Sequence, residues 1–449
     1  MGSRAFSLRN PQRALTLAAP AAAWLLAAIS STSALAAEAD MQNGIGAREK
    51  ALAGADVASS TDATAASLNP AGLVNVESQV NVAASFLYLN GGYTSPVGGG
   101  INADGHHDSN PGLAFIPNLA ATWRVNSGLV DAVALTVYGN AGVNTHYNDL
   151  PNANCPVPGM SGVFCGGALG IKMAQTFYSV AVAKQILPGI SIGVAPILAR
   201  QTLQIDGGGF FAAAFPGASI DPDNFSNKGT DESWGVGARA GVEWKVTRNI
   251  RLGLSGHAPM HMSNFDKYRG LLAEQGGFDV PGTLQAGVAV DVMPNLTLLA
   301  DYKRIWFSSV ASIGNPSTNF PGIPFGANNG GGFGVKDVDV IKLGLEWQHS
   351  PALTLRAGYS YNTAPIGARD ADINIVTLGI VQHHLTSGLK YQLNRSWDVE
   401  LAAMYAPRAT VTGIELLTAG RSVEIEMSQF EFTVGAVYRF GSRQPVPLK

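Results

Sequence analysis

Apolar and polar residues alternate along most of the chain. In the segment 234–246, one face carries Trp234, Trp244 and small apolar residues, while the other carries glycines, Arg239 and Glu243. A period of two that persists over this length predicts a β-strand. Aromatic residues near both ends of the apolar face and a small or charged opposite face are typical of a strand between lipid and a polar lumen.

The same alternation recurs to the end of the chain, and short turns such as 294–295 alternate with long loops such as 145–171 and 311–336. This rhythm predicts an all-β fold, a transmembrane antiparallel β-barrel with short periplasmic turns and long outer loops. A soluble sandwich would also alternate, but with shorter strands and more Lys and Glu outside. The fourteen predicted strands are 78–90, 112–125, 129–144, 172–187, 190–206, 231–246, 250–266, 282–293, 296–310, 337–350, 353–366, 382–393, 397–412 and 423–440.

Composition supports a membrane barrel. Charged residues make up 14% of the chain, against about 25% in soluble domains. After residue 36 the sequence contains no apolar run of the length that a spanning helix needs. A barrel reconciles these facts because its apolar residues are dispersed along strands. The net charge of −3 argues against a nucleic-acid partner.

Residues 1–36 have the pattern of a signal peptide. Arg4 and Arg9 give a basic start, residues 14–29 are apolar, and residues 34–36 are small enough for cleavage. A membrane anchor is the weaker alternative because Pro20 interrupts a run that is short for a span. We therefore expect an exported protein.

Residues 37–77 are rich in Gly and Ala and too irregular for a core of their own, which suggests a plug attached to a barrel. They end on Asn69, Pro70, Ala71, Gly72 and Leu73. The segment and its ending resemble the N-terminal hatch of the FadL/TodX family of outer-membrane channels for hydrophobic molecules. Residues 359–366 are similar to the end of a late strand in that family.

The resemblance implies a barrel of residues 78–440 with the hatch, including Asn69 to Gly72, inside its lumen. It implies passive transport of long-chain fatty acids or of aromatic or aliphatic hydrocarbons, without a cofactor, in the outer membrane of a Gram-negative bacterium. The ligand would be captured among outer loops, held in a lumenal pocket and released sideways at a kink in the third strand. We expect a monomer surrounded by membrane lipid and lipopolysaccharide.

The third predicted strand contains Gly139, Asn140, Ala141 and Gly142. Two glycines this close together permit a bulge or kink. Small lumenal residues that pack against the plug are an equal alternative, and the resemblance favours the kink that opens the wall.

Two outer loops carry costly apolar residues: Phe210, Phe211 and Phe215 in one, Leu271 and Leu272 in the other. They could form a groove that captures substrate, or the loops could pack on one another over the barrel mouth. Both arrangements are compatible.

Four cations on the lumenal face could meet a ligand carboxylate, namely Arg239, Lys303, Lys342 and Arg356, and of these we assign Arg239 and Arg356 to substrate binding. The stronger alternative is that they form ion pairs with the lumenal carboxylates Glu243, Asp301, Glu346, Glu400 or Glu431.

Cys155 and Cys165 are the only cysteines, and in an exported protein their spacing predicts a local disulfide rather than a metal site. Phe440 ends the last strand with the aromatic residue that many barrels present to the barrel-assembly machinery. Residues 441–449 follow as a periplasmic extension.

Other functions stay open. A lipid-acting enzyme would need a nucleophile beside a His, and Ser255 with His257 is the nearest local pair, although no Gly-x-Ser-x-Gly motif occurs. A general porin would conduct ions steadily, and an adhesin would bind surfaces without affecting uptake.

Overall fold

The computed structural model describes residues 38–440, apart from residues 126, 214, 215 and 419. The predicted signal peptide, the predicted extension and Phe215 therefore lie outside the described residues. The described chain contains fifteen strands: β1 (Gln79–Ser95), β2 (Gly105–Ser109), β3 (Ala114–Arg124), β4 (Ala132–Tyr147), β5 (Leu169–Leu187), β6 (Ile190–Asp206), β7 (Asp231–Lys245), β8 (Ile250–His257), β9 (Thr283–Met293), β10 (Leu296–Ile305), β11 (Val338–Gln348), β12 (Leu353–Asn362), β13 (His383–Gln392), β14 (Trp397–Ile414) and β15 (Ser422–Arg439).

The helices of the described residues are short. The α-helices are α1 (Gly46–Ala51), α2 (Ala65–Leu68), α3 (Gly209–Ala213), α4 (Ala273–Gly276) and α5 (Ala311–Gly314). The 3₁₀-helices are Pro70–Asn75, Pro222–Asn224, Asp266–Tyr268, Phe307–Ser309, Ser317–Asn319, Ala368–Asp370 and Ile373–Val376. Within this part of the chain, no helix has the length and apolar character that a bilayer crossing requires.

The strands form one closed antiparallel sheet. Neighbours in the chain pair with one another, and β15 pairs with β1 from Gln79↔Arg439 to Thr94↔Glu424. The short β2 pairs only with the outer end of β1, at residues 91–95. β3 pairs with the preceding residues 79–87 of β1. The remaining fourteen strands make the cylinder, which confirms the predicted barrel.

Several predicted boundaries are wrong. The predicted strand 250–266 ends at His257, and the predicted strand 353–366 ends at Asn362. Pro259 and Pro365 follow these ends, and proline has no N–H to donate to a ladder. The predicted loop 91–111 contains the last residues of β1 and all of β2.

The alternation along each strand separates the two faces of the wall. On β7, Trp234 and Trp244 are exposed, whereas Arg239 and Glu243 are buried toward the lumen. Exposed apolar side chains recur on most other strands, as expected for a surface in contact with lipid.

Residues 38–77, the N-terminal segment, contact the lumenal face of the wall. A Cβ on Gly388 of β13 would lie 2.5 Å from the Cβ of Ala51, and one on Gly358 of β12 would lie 2.5 Å from the backbone of Leu52. These strands carry inward glycines because the segment approaches the wall too closely for a side chain.

Candidate transport path

An apolar cavity, the outer cavity, lies among the outer loops. It has a volume of ≈ 50 Å³. Phe211 lies beside it, and its ring meets Phe164, Phe320 and Phe325 at centroid distances of 5.3, 6.3 and 6.3 Å. The apolar side chains around it are Phe164, Leu169, Ile205, Phe211, Phe225, Leu271, Phe325, Phe333, Ile373 and Val376.

The predicted loop residues meet only in part at this cavity. Phe211 and Leu271 line it. Phe210 and Leu272 are buried in the surrounding hydrophobic cluster. The loops thus pack on one another, as the second predicted arrangement describes, and they enclose a small space.

A second apolar cavity, the inner cavity, lies next to the start of the N-terminal segment. It has a volume of ≈ 40 Å³, and Ala39 and Asp40 form part of its lining. Phe333 borders both the inner and the outer cavity. The other apolar side chains around it are Val143, Ile171, Met173, Phe278, Phe307, Ile313, Val335 and Ile366.

Both cavities are small in this structure. A dry cavity that holds benzene measures about 150 Å³, and the outer and inner cavities are ≈ 50 and ≈ 40 Å³. Side chains such as Phe333 must therefore move before either cavity can hold a ligand.

The lumen becomes polar on the other side of Asp40. A third cavity, the lower cavity, is lined by Gln42, Asn140, Arg239, Lys303 and Lys342 among others. At the periplasmic end a wider vestibule of ≈ 520 Å³ is lined by polar groups, including Lys245, Arg251 and Asp398.

The wall of the barrel changes between the inner and lower cavities. β3 pairs with β4 from Arg124↔Ala132 to Asn118↔Tyr138, and within the described residues the β3–β4 ladder ends there. β4 nevertheless continues to Tyr147 along β5. Beyond this region, the N–H of Asn110 donates to the carbonyl of His146 at 2.7 Å. We call the interval 139–145, without ladder partners from β3, the wall gap.

The predicted kink residues lie at the wall gap, in β4, which corresponds to the third predicted strand. The register between β4 and β5 shifts between Gly139 and Ala141, so Asn140 is the extra residue of a bulge. The Asn140 side chain donates to Gln175 Oε1 at 2.5 Å.

The N-terminal segment pairs with β4 at the bulge. The N–H of Gln42 donates to the Asn140 carbonyl at 3.1 Å, and the N–H of Gly142 donates to the Asp40 carbonyl at 2.9 Å. The Gln42 side chain also donates to the Gly139 carbonyl at 2.7 Å. Gln42 thereby donates to two carbonyls of β4 in the interval where β3 supplies no ladder partner, and buried carbonyls require such donors.

Lumenal cations are largely paired. Lys303 donates to Glu38 at 2.6 Å, and Lys342 also contacts this carboxylate. Burial alone would raise the pKa of Glu38, but the two lysines outweigh it and lower the pKa to about 2.

The two predicted headgroup partners differ in position. Arg239 lines the lower cavity, and its Nη1 lies 3.5 Å from the Leu68 carbonyl. Arg356 is held by Glu346 at 2.7 Å and Glu400 at 2.9 Å. Arg356 therefore forms ion pairs with lumenal carboxylates, which was the predicted alternative to contact with a ligand.

Ion pairs also attach the N-terminal segment to the wall. Arg48 contacts Asp56 within the segment and Glu346 of β11 at 3.1 Å. Lys50 reaches Glu431 of β15 at 2.5 Å. Arg48, Asp56, Lys50 and Glu431 are buried, so removal of either lumenal cation leaves a buried carboxylate uncompensated.

The end of the segment is fixed near β6 and β7. The Asn69 side chain donates to the Val57 carbonyl at 2.7 Å and accepts from the N–H of Ala71 at 3.1 Å. A Cβ on Gly241 would lie 2.1 Å from Asn69 Oδ1, and one on Gly72 would lie 1.8 Å from Ser60 Oγ. Pro70 and Ala71 are buried against β6, where a Cβ on Gly193 would lie 2.4 Å from the Pro70 backbone.

Two further predictions concern loops and chemistry. The structure contains the Cys155–Cys165 disulfide, in the loop between β4 and β5. Ser255 donates to the Ala240 carbonyl at 3.0 Å rather than to His257, whose Nδ1 lies 3.1 Å from the Ala258 carbonyl. This arrangement lacks the nucleophile–base hydrogen bond of a hydrolase.

Sequence reasoning missed several residues of the path. Phe320, Phe325 and Phe333 stand in a Gly-rich outer loop, and the signal that singled out Phe210 applies equally to them. Asp40 and Gln42 carry no such signal, because their positions depend on where the segment meets β4.

Comparisons with known proteins agree with this architecture. The family model described as outer membrane protein transport protein (OMPP1/FadL/TodX) matches residues 23–440. The P. putida toluene transporter TodX is 17% identical, covers 89% of this chain and 100% of its own, and has a TM-score of 0.64. A Pseudomonas aeruginosa FadL homologue is 15% identical, with 90% and 100% covered and a TM-score of 0.64.

The Ralstonia pickettii toluene transporter TbuX is 16% identical, with 89% and 99% covered and a TM-score of 0.58. At such identities these structures establish the fold. The comparison with curated proteins finds no match. Because the family model covers most of its length, the chain belongs to the OMPP1/FadL/TodX family of outer-membrane transport proteins of Gram-negative bacteria.

Proposed function

We propose that this protein carries hydrophobic molecules passively from the outer loops, through the inner cavity, and sideways into the membrane at the wall gap. The observation that carries the proposal is the shared border at Phe333 between two apolar cavities, the inner of which ends at the N-terminal segment and β4. Long-chain fatty acids and aromatic or aliphatic hydrocarbons are the substrate classes considered.

Capture begins in the outer cavity. Burial of each CH₂ group contributes about 0.8 kcal/mol, so an apolar lining can withdraw a hydrophobic molecule from water. Movement of Phe333 would then connect the outer cavity with the inner one.

Exit toward the periplasm is unfavourable for such a molecule. Below Asp40 the path meets the lower cavity and the charged groups around Arg48, Glu346 and Arg356. An apolar molecule gains nothing from these surroundings and would displace ion pairs.

Sideways exit avoids the polar lumen. The wall gap includes Val143, which lines the inner cavity, and Asp40 and Gln42 of the N-terminal segment hydrogen-bond to β4 there. In this mechanism the segment acts as a plug whose first residues leave β4 to open the wall, while α1 stays attached. Pairing of β15 with β1 closes the cylinder within one chain, which supports action as a monomer.

A charge at the shared border tests the proposal. We expect Phe333→Glu to reduce uptake of radiolabelled toluene and oleate by a Gram-negative host that lacks other channels for these compounds. Ile220→Glu, at an exposed loop position, is the matched control and should transport normally. Uptake by Phe333→Glu at the wild-type rate, with equal amounts of folded barrel, would refute the path.

A further inference from the structure

Asp40 is the one ionisable residue among the described residues that line the two apolar cavities. Its Oδ1 atom is buried and has no hydrogen-bond partner within the described chain. A buried polar atom without a partner is costly, and a ligand that supplies a donor removes this cost.

We propose that the inner cavity selects hydrophobic molecules that donate a hydrogen bond, such as alkanols or phenols, and disfavours fatty-acid anions. This inference rests on the proposed function and specifies the substrate class of the same path. Asp40 Oδ1 would accept the ligand hydroxyl, while the apolar lining would hold the rest of the molecule.

The charges around the cavity argue against a carboxylate ligand. Lys303, the lysine that acts electrostatically on Asp40, forms an ion pair with Glu38, and Lys342 forms an ion pair with the same carboxylate. Both lysines line the lower cavity, so an anion arriving from the outer loops would meet Asp40 first. Two carboxylates in one apolar site repel each other and cannot both remain ionised.

The pKa of Asp40 also supports a preference for ligands that donate a hydrogen bond. Burial raises the pKa of Asp40 to about 7, even though Lys303 acts in the opposite direction. Above this pH the carboxylate is ionised and is a strong acceptor for a neutral donor. A ligand that only accepts hydrogen bonds gains nothing from it.

The test compares three ligands of matched size at pH 8.5: octan-1-ol, its isomer 1-methoxyheptane, which has no donor, and octanoate. Binding to the full-length mature barrel in nanodiscs is measured by equilibrium dialysis and corrected with empty nanodiscs. We expect octan-1-ol to bind about tenfold more tightly than the ether, and octanoate to bind most weakly.

Two variants show whether Asp40 causes the preference. Asp40→Leu should erase the advantage of octan-1-ol while it retains binding of the ether, which also demonstrates a folded cavity. Asp223→Leu, in an exposed outer-loop position, should retain the wild-type order.

The outcomes separate the two claims. Equal or tighter binding of octanoate, or a preference for octan-1-ol that survives Asp40→Leu, overturns this inference and leaves the proposed function intact. Absence of binding by all three ligands above the empty nanodiscs overturns the proposed function as well.

Discussion

The backbone N–H of Gly142 donates to the carbonyl of Asp40 at 2.9 Å, so the N-terminal segment pairs with the wall where β3 no longer does. This single contact joins the bulge of β4, the inner cavity and the start of the N-terminal segment. The proposed side exit therefore lies behind residues of the same chain, and those residues must separate from β4 before the exit opens.

Gln42 is expected to hold this closed arrangement. Gln42→Ala removes the donor to the Gly139 carbonyl, and a buried group left without its partner costs about 1–3 kcal/mol. We predict roughly tenfold faster amide hydrogen exchange at Gly142 and faster uptake of toluene. Gln204→Ala, at the outer end of β6, should change neither quantity. Unchanged exchange at Gly142 in Gln42→Ala would show that Gln42 does not hold the gap closed.

Larger side chains in the wall gap should obstruct it. The double variant Gly139→Val, Gly142→Val adds branched side chains on both sides of the Asn140 bulge, and we predict at least a tenfold fall in uptake with a folded barrel. Gly128→Val is the control because a side chain at this periplasmic turn meets no neighbour. Heat-modifiable migration on gels would verify folding. Normal uptake by the double variant would place the exit elsewhere.

We expect the N-terminal segment to keep ionic conductance low. Arg48→Ala leaves the buried Asp56 without its ion-pair partner, while Glu346 retains Arg356. The loss of a buried partner typically costs about 3–5 kcal/mol. We predict little steady current for the wild-type protein in planar bilayers and frequent openings for Arg48→Ala. Arg200→Ala is the control because its partner Glu232 is exposed. A large steady current through the wild-type protein would favour a general porin.

The packing of Glu49 predicts a pH effect. Burial raises the pKa of Glu49 to about 8, so its contribution to stability is complete below its unfolded pKa of about 4.3 and is lost as the pH rises through 8. Between pH 6 and pH 9 the thermal midpoint in detergent should fall, and Glu49→Gln should reduce that slope. Glu274→Gln, in an outer loop, should leave the slope unchanged. Identical slopes for Glu49→Gln and the wild-type protein would refute this assignment.

The barrel was predictable because the alternation of apolar and polar residues is visible within each strand. Lipid-facing and lumen-facing residues alternate along each strand. On β7, Trp234, Arg239 and Trp244 are sufficient to assign the two faces. Strand ends were less predictable, since Pro259 and Pro365 stop the ladders of β8 and β12 although the apolar pattern continues beyond them.

The path was only partly predictable because it depends on contacts between distant residues. Gly139 and Gly142 indicated an irregular strand, but the sequence does not reveal that β3 ends its pairing there. Arg356 and Arg239 appeared equivalent as lumenal cations, and only the three-dimensional arrangement distinguishes the ion-paired Arg356 from Arg239 beside the lower cavity.

The most direct test is a disulfide cross-link between the N-terminal segment and β4. Met41 and Ala141 face each other in a non-hydrogen-bonded antiparallel pair, a geometry with Cα atoms about 4.5 Å apart that suits a disulfide. Single cysteine variants, and wild-type cells treated with the same reductant, control for the native Cys155–Cys165 bond.

Uptake of radiolabelled toluene by cells that express Met41→Cys, Ala141→Cys is then the decisive measurement. We predict that uptake stops when the new disulfide forms and returns after reduction, while the single variants transport throughout. Uptake at the wild-type rate with the cross-link intact would contradict exit through the wall gap.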